Sequence, residues 1–130
     1  MTFKIGLLGL GTVGTGTAEI LLDPTGRHPL IREIVIHRVG VLSPDKPRRV
    51  QLPPGVIGTD LEAIVTDSEI AIVVELLGGL EPARSLILQA IAHGKHIVTA
   101  NKAVIARYGA EIFERSEEHT SELQSPCNLV

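Results

Sequence analysis

The apolar run Phe3–Leu8, broken only by Lys4 and Gly6, is followed at once by glycines at 9, 11, 14 and 16. Nothing else in the chain restricts its fold as much. A short continuous apolar run reads as a strand buried on both faces, the kind found inside a parallel sheet. A glycine cluster directly behind it marks a tight reversal that residues with side chains resist. Val13, Ile20 and Leu21 then mark one face of a helix, which Asp-Pro-Thr-Gly at 23–26 ends.

The rest of the chain repeats this alternation. Residues 34–42 form a second apolar run, and 70–76 a third. Between them, residues 43–59 hold four prolines and read as a long loop with room for one short strand. Asp60 is placed to cap a short helix through about Val65, with Leu61, Ile64 and Val65 facing inward. Gly78 and Gly79 turn the chain, Pro82 suits a first helical turn, and Gly94 suits the position past a helix end. Ala83, Ile87 and Ile91 recur every fourth residue between them. A strand at 96–99 and a helix from Lys102 to about Glu114 complete the pattern. Strands alternating with helices imply parallel pairing through right-handed crossovers. The expected fold is therefore α/β, a Rossmann-type doubly wound parallel sheet.

With 44% hydrophobic but only 2% aromatic residues, the core must be aliphatic. A net charge of −3 over 130 residues gives no electrostatic case for a nucleic-acid partner. The amino-terminal apolar run is too short and too glycine-rich to span a membrane. Cys127 is the single cysteine, which excludes a disulfide framework or a cysteine metal site and suits a cytoplasmic location. His93 and His96 straddle a helix end and a turn, a poor arrangement for a shared metal, and no metal is expected. Acidic residues at 60, 62, 67 and 69 read as caps and solvated faces. Glu75, inside an apolar run, must have a backbone or basic partner or stabilise the following turn.

Gly9, Gly11 and Gly14 have the G-x-G-x-x-G spacing, and they sit between a strand and a helix, the context that makes the motif informative. Gly9 allows the turn, Gly11 lets the backbone approach a pyrophosphate, and Gly14 lets helix and strand pack closely. The N–H groups of Leu10, Gly11, Thr12 and Val13 would face the phosphates, and the Thr12 hydroxyl can add a bond. No lysine follows the last glycine, which excludes a P-loop. The acidic residue expected at the end of the second strand, for the adenosine ribose, is missing: Leu42 and Ser43 stand there and Asp45 lies too far along. Lys46, Arg48 and Arg49 offer cations for a 2′-phosphate, or form a solvated loop. NADP and NAD both remain open as cofactor.

Three stretches together carry a resemblance: KIGLLGLGTVGTGTAEIL, the loop DKPRRVQLP, and VVELLGGLEPARSLILQAIAHGKHIVTANKAVIARYG. Over residues 3 to about 115 the chain resembles the amino-terminal NAD(P)-binding domain of homoserine dehydrogenase in its cyanobacterial-like form. ELLGG followed by VTANK is the specific part, since GLGTVG occurs in many dehydrogenases. The resemblance implies reduction of aspartate 4-semialdehyde to homoserine with NADPH or NADH, on the route to threonine and methionine. It implies that Leu77 and Gly78 lie near the nicotinamide, and that Thr99, Ala100, Asn101 and Lys102 lie where cofactor and substrate meet. Lys102 is implied to be catalytic, stabilising the developing alkoxide or relaying its proton. The other reading of Lys102 is a lysine that merely begins a helix. Many relatives carry a basic residue where this chain has Leu42, so the NADP preference is weakened without an NAD preference replacing it.

The family continues with another strand and then a substrate and dimerisation region with a second catalytic lysine, so the resemblance implies a sheet incomplete at the carboxyl end and a homodimer or higher assembly of a longer enzyme. This part alone is expected to be inactive. Residues 1–115 are expected to form the cofactor domain. Residues 116–130 read as a disordered or non-native tail, because RSEEHTSELQS matches the translation of a common DNA-sequencing adapter. Two other functions stay open: a stand-alone dinucleotide-binding regulatory module, and another semialdehyde or imine reductase.

Overall fold

A computed structural model describes residues 2–23, 25–26, 29–43, 50–53 and 55–119. Strand β1 (Phe3–Leu8) leads through the glycine loop into helix α1 (Thr12–Leu22). A 3-10 turn (Pro29–Glu33) precedes β2 (Ile34–Gly40), and the long loop contributes only the two-residue β3 (Ile57–Gly58). Then come α2 (Leu61–Val65), β4 (Ile72–Glu75), α3 (Ala83–Ala92), β5 (His96–Thr99) and α4 (Lys102–His119). The strands pair in the order β3-β2-β1-β4-β5, and every pairing is parallel. The strand order therefore reverses at β1, which lies between β2 and β4. In open parallel sheets of this kind, ligands bind beyond the carboxyl ends of the strands at that reversal.

Alternation along β1 divides the core between the two faces of the sheet. Leu7 points to the face carrying α1, with Ala18, Val39 and Val41. Leu8 points to the other face, where it joins Val73, Ile64 of α2, Ile87 of α3 and Val104 and Ile112 of α4. The core is aliphatic throughout, as the composition requires. Burial on both faces holds for residues 5–8, whereas Phe3 at the strand entrance is partly exposed. Asp60 caps α2 by accepting the Ala63 N–H at 3.1 Å. Arg84 clamps α3 to α4 with a two-pronged bond to Glu111, Nε to Oε1 at 2.8 Å and Nη2 to Oε2 at 2.9 Å, while its guanidinium lies over the Tyr108 ring.

The face expected for α1 is wrong. Val13 and Ile20 are 59% and 40% exposed and Leu21 is only half-buried, whereas Gly14, Thr15 and Ala18 are buried. The cause is the closeness of α1 to β1. A Cβ on Gly14 would stand 2.3 Å from the Gly9 carbonyl oxygen, so the contacting stripe is made of small residues and the branched ones turn aside. Helix α4 runs on through His119, beyond Glu114, and its Ser116 and Glu117 are half-buried and exposed. Cys127 and the rest of the expected tail beyond residue 119 lie outside the described residues, as do Lys46, Arg48, Arg49 and Asp45. No helix among the described residues is long and apolar enough to cross a membrane.

Candidate functional site

Three chain segments leave the carboxyl ends of the central strands side by side. The first is the glycine loop. Gly9 has φ +101°, and a Cβ there would come within 2.8 Å of the Leu76 carbonyl oxygen. Its N–H donates to the Gly40 carbonyl at 2.8 Å, tying the loop to the end of β2. Gly11 is different: it is exposed, and a Cβ there would meet nothing within 4 Å. The fold thus requires glycine at 9 and 14 but leaves open space above 11. Gly11 is also the N-cap of α1, with no side chain bonded to the helix end and no acid in its first turn. Unpaired N–H groups and the positive end of the helix dipole therefore face that space, an arrangement suited to an anionic group. Thr12 and Val13 begin the helix on the exposed side, and Leu10 is buried behind the loop.

The second segment leaves β4. The Leu76 N–H donates to the Leu8 carbonyl at 2.8 Å, so β4 stays paired with β1 to its last residue, and the chain then turns through Leu77, Gly78 and Gly79. The third leaves β5 at Thr99 and passes Ala100 and Asn101 into α4. Asn101 caps that helix: its Oδ1 accepts the Val104 N–H at 3.2 Å, and its carbonyl accepts the Ile105 N–H at 3.2 Å. Lys102, the first residue of α4, is exposed and has no hydrogen-bond or ion-pair partner among the described residues.

Glu75 joins the second and third segments. It is fully buried and is the single buried ionisable side chain among the described residues. Its Oε2 accepts the Leu77 N–H at 2.8 Å and Asn101 Nδ2 at 3.4 Å, and its Oε1 accepts the Thr99 hydroxyl. The partner expected for Glu75 is therefore partly backbone, as one sequence alternative had it, and no basic group takes part. Pairing of Glu75 with Thr99 across β4 and β5 brings the two residues together.

Two adjoining cavities line this edge. One, about 200 Å³, is bounded by Gly9, Leu10, Gly11, Val41, Leu42, Ser43, Leu76 and Leu77. The other, about 190 Å³, is bounded by Val13, Leu76, Gly78, Ala100 and Asn101. Leu76 is their common wall, and the glycine loop lies between them. Together they form a path from the end of β2, across the start of α1, to the ends of β4 and β5. Thr12, Gly14, Thr99 and Lys102 line neither cavity, whereas the other expected site residues do. Leu76 belongs to this edge as well and was not singled out from the sequence; its proximity to a glycine motif sixty-odd positions earlier has no local signal. A further described cavity, about 280 Å³, lies against α2 and the β2–β3 edge, away from these segments.

At the β2 and β4 side of the sheet, His37 Nε2 stands 3.5 Å from Asp67 and 3.4 Å from Glu69, and Lys4 Nζ stands 3.1 Å from Glu69. Of the acids expected to be caps and solvated faces, Asp60 caps α2 and Glu69 pairs with the Lys4 cation. His93 ends α3, its ring Nδ1 2.9 Å from the Gln89 carbonyl oxygen.

The chain is similar to known proteins along most of its length. A family model described as homoserine dehydrogenase, NAD binding domain, matches residues 9–126. Homoserine dehydrogenase from Synechocystis sp. is 75% identical over 119 residues, covering 92% of this chain and 28% of that protein. The crystal structure of a homoserine dehydrogenase from Thiobacillus denitrificans superposes with a TM-score of 0.80 at 46% identity, covering 92% of this chain and 28% of that one. A hyperthermophilic archaeal homoserine dehydrogenase mutant, solved in complex with NADPH, shares the fold at a TM-score of 0.68 and 21% identity, covering 92% of this chain and 42% of that one. The chain thus spans little more than a quarter of the Synechocystis protein's length.

Proposed function

The chain belongs to the homoserine dehydrogenase family through its NAD-binding domain, and from that premise we propose that it forms the dinucleotide-holding part of an enzyme interconverting homoserine and aspartate 4-semialdehyde. The observation that carries the reading is the uncapped, acid-free start of α1 at Gly11, open to solvent and placed at the reversal of strand order. The pyrophosphate is held there by the N–H groups of residues 10–13, with the Thr12 hydroxyl beside them. The adenosine side runs toward Leu42 and Ser43, and the nicotinamide side toward Leu77, Gly78, Thr99, Ala100 and Asn101. When bound, the cofactor supplies a hydride acceptor or donor. Residues 76–79 and 99–101 then orient the nicotinamide ring. Lys102 brings an unpaired cation to the start of α4, where it stabilises charge on the substrate oxygen or relays its proton.

NADP and NAD both fit, because the side chains described at the end of β2 are neutral. The protein works in the cytoplasm as a homodimer or larger assembly, with its amino-acid substrate held by parts of the enzyme beyond this domain. Residues 1–115 carry the cofactor site. Calorimetric titration of the 130-residue chain with NADPH and NADH tests the reading, with Gly11→Val as the control. The wild type should bind at least one of them, and the variant should lose at least about tenfold in affinity, equal to 1.4 kcal/mol. Equal binding by both proteins removes the glycine loop from the site. The isolated chain should bind cofactor without oxidising homoserine, since positioning of the substrate supplies much of the rate.

A further inference from the structure

Burying a carboxylate costs several kcal/mol unless hydrogen bonds replace its water. Glu75 meets that cost with donors alone. The Leu77 N–H has no other role than donor. The Thr99 hydroxyl already accepts the Asn101 N–H at 3.0 Å, so its own proton is turned to Glu75. The Asn101 amide is oriented by its other bonds: Oδ1 accepts from Val104, and Nδ2 donates to the Gly79 carbonyl at 2.7 Å as well as to Glu75. A carboxylate accepts only, which suits a site where every neighbour donates.

The three donors come from different places. Leu77 belongs to the turn after β4, while Thr99 and Asn101 belong to the exit of β5. Gly79 and Val104 extend the same network to the far end of that turn and to the first turn of α4. We propose that Glu75 is the positioning residue of the nicotinamide end of the site, fixing the β4 exit against the β5 exit and so setting both the cavity between Gly78 and Asn101 and the direction in which α4 presents Lys102. The ligand part of this proposal rests on the dinucleotide reading above. Glu75 touches neither cavity, so it acts through Leu77, Thr99 and Asn101 and not on the reacting atoms. A residue serving only to fill the core would be replaceable by glutamine of the same size. Glutamine, however, places an NH2 donor against either the Thr99 hydroxyl or the pair formed by Leu77 and Asn101, all of them already donors to this group.

Amide hydrogen exchange followed by nuclear magnetic resonance on the 130-residue chain tests the joint without any ligand. In Glu75→Gln the amides of Leu77, Asn101 and Val104 should accelerate at least about tenfold more than those of β1 and β2, as expected for a local opening added to any overall loss of stability. Thr99→Val, which keeps the shape but removes the hydroxyl, should do the same, and Thr99→Ser should restore the wild-type pattern. NADPH then reports on the site. In the wild type it should shift the amide signals of Gly78 and Ala100 along with those of residues 11–13; in Glu75→Gln and Thr99→Val, only those of residues 11–13. Unchanged exchange at Leu77 and Val104, or acceleration spread evenly over the whole sheet, overturns the proposal. So do Gly78 and Ala100 shifts that survive in both variants. If NADPH moves no signal in the wild type, the dinucleotide reading fails, and the positioning of a nicotinamide fails with it; a localised exchange change would still establish the joint itself.

Discussion

The two ends of the cleft are built from opposite materials. At the α1 end the chain offers backbone, and its side chains are either absent or turned away: Gly9, Gly11 and Gly14 shape it, and no side chain caps the helix. At the β4 and β5 end, side chains make the structure. Glu75, Thr99 and Asn101 satisfy one another and the neighbouring N–H groups in a buried network that also caps α4. One helix start is left open and the other is closed. The open end is suited to an anion that must bind and leave, because its donors have no competing partner. The closed end is suited to holding its two chain exits in a fixed direction, because Glu75, Thr99 and Asn101 already have partners inside the protein.

This contrast predicts different sensitivities at the two ends. The largest effect should come from Gly14→Ala. Its Cβ would lie 2.3 Å from a carbonyl oxygen that the β1 turn cannot move, so urea unfolding should show a loss of about 3 kcal/mol. Next should come Thr99→Val, which leaves a Glu75 oxygen without its donor and the Asn101 N–H without its acceptor. The same measurement should give about 2 kcal/mol. If Thr99→Val proves harmless, the closed end is not held by its polar network and the contrast collapses. Gly11→Val should lie well below both, within about 1 kcal/mol, because its side chain points into open space at a helix cap. A stability loss as large as that of Gly14→Ala would mean that position 11 serves the fold and not a ligand. The smallest effect should follow removal of residues 117–130. Ile112 is buried in α4, whereas Ser116 and Glu117 are half-buried and exposed. Less than about 1 kcal/mol should be lost, as for surface segments with no packing role. Unfolding of the shortened chain would show that the final residues belong to the domain.

The open end was legible because its causes are local. A strand, three glycines and a helix within the first part of the chain carry their own geometry, and the structure places Gly9 and Gly14 where that geometry requires them. The short helix capped by Asp60 and the helix ended at Gly94 were legible for the same reason. The buried face of α1 was not. Apolar periodicity points to Val13 and Ile20, but how near the helix comes to the sheet depends on a contact between Gly14 and Gly9, and that contact selects small residues. Glu75 was visible as an acid in an apolar run that needed a partner, and nothing local could say which. Its partners lie two, twenty-four and twenty-six residues onward.

What the sequence by itself determined is therefore the set of things that one segment can impose on its own backbone: the alternation of strand and helix, the glycine turn, the caps, and an aliphatic core forced by the scarcity of aromatic residues. What only the tertiary structure decided is which segments meet. Parallel pairing of β4 with β5 sets Thr99 opposite Glu75 and turns an isolated acid into the joint of a site. Side-by-side packing of β1 and β4 makes Leu76 a wall shared by the glycine loop and the far cavity. The physical reason is range: torsional preferences and helix capping act over a few residues, whereas burial of a polar group is satisfied by whatever donor the fold brings within about 3 Å, however distant in the chain.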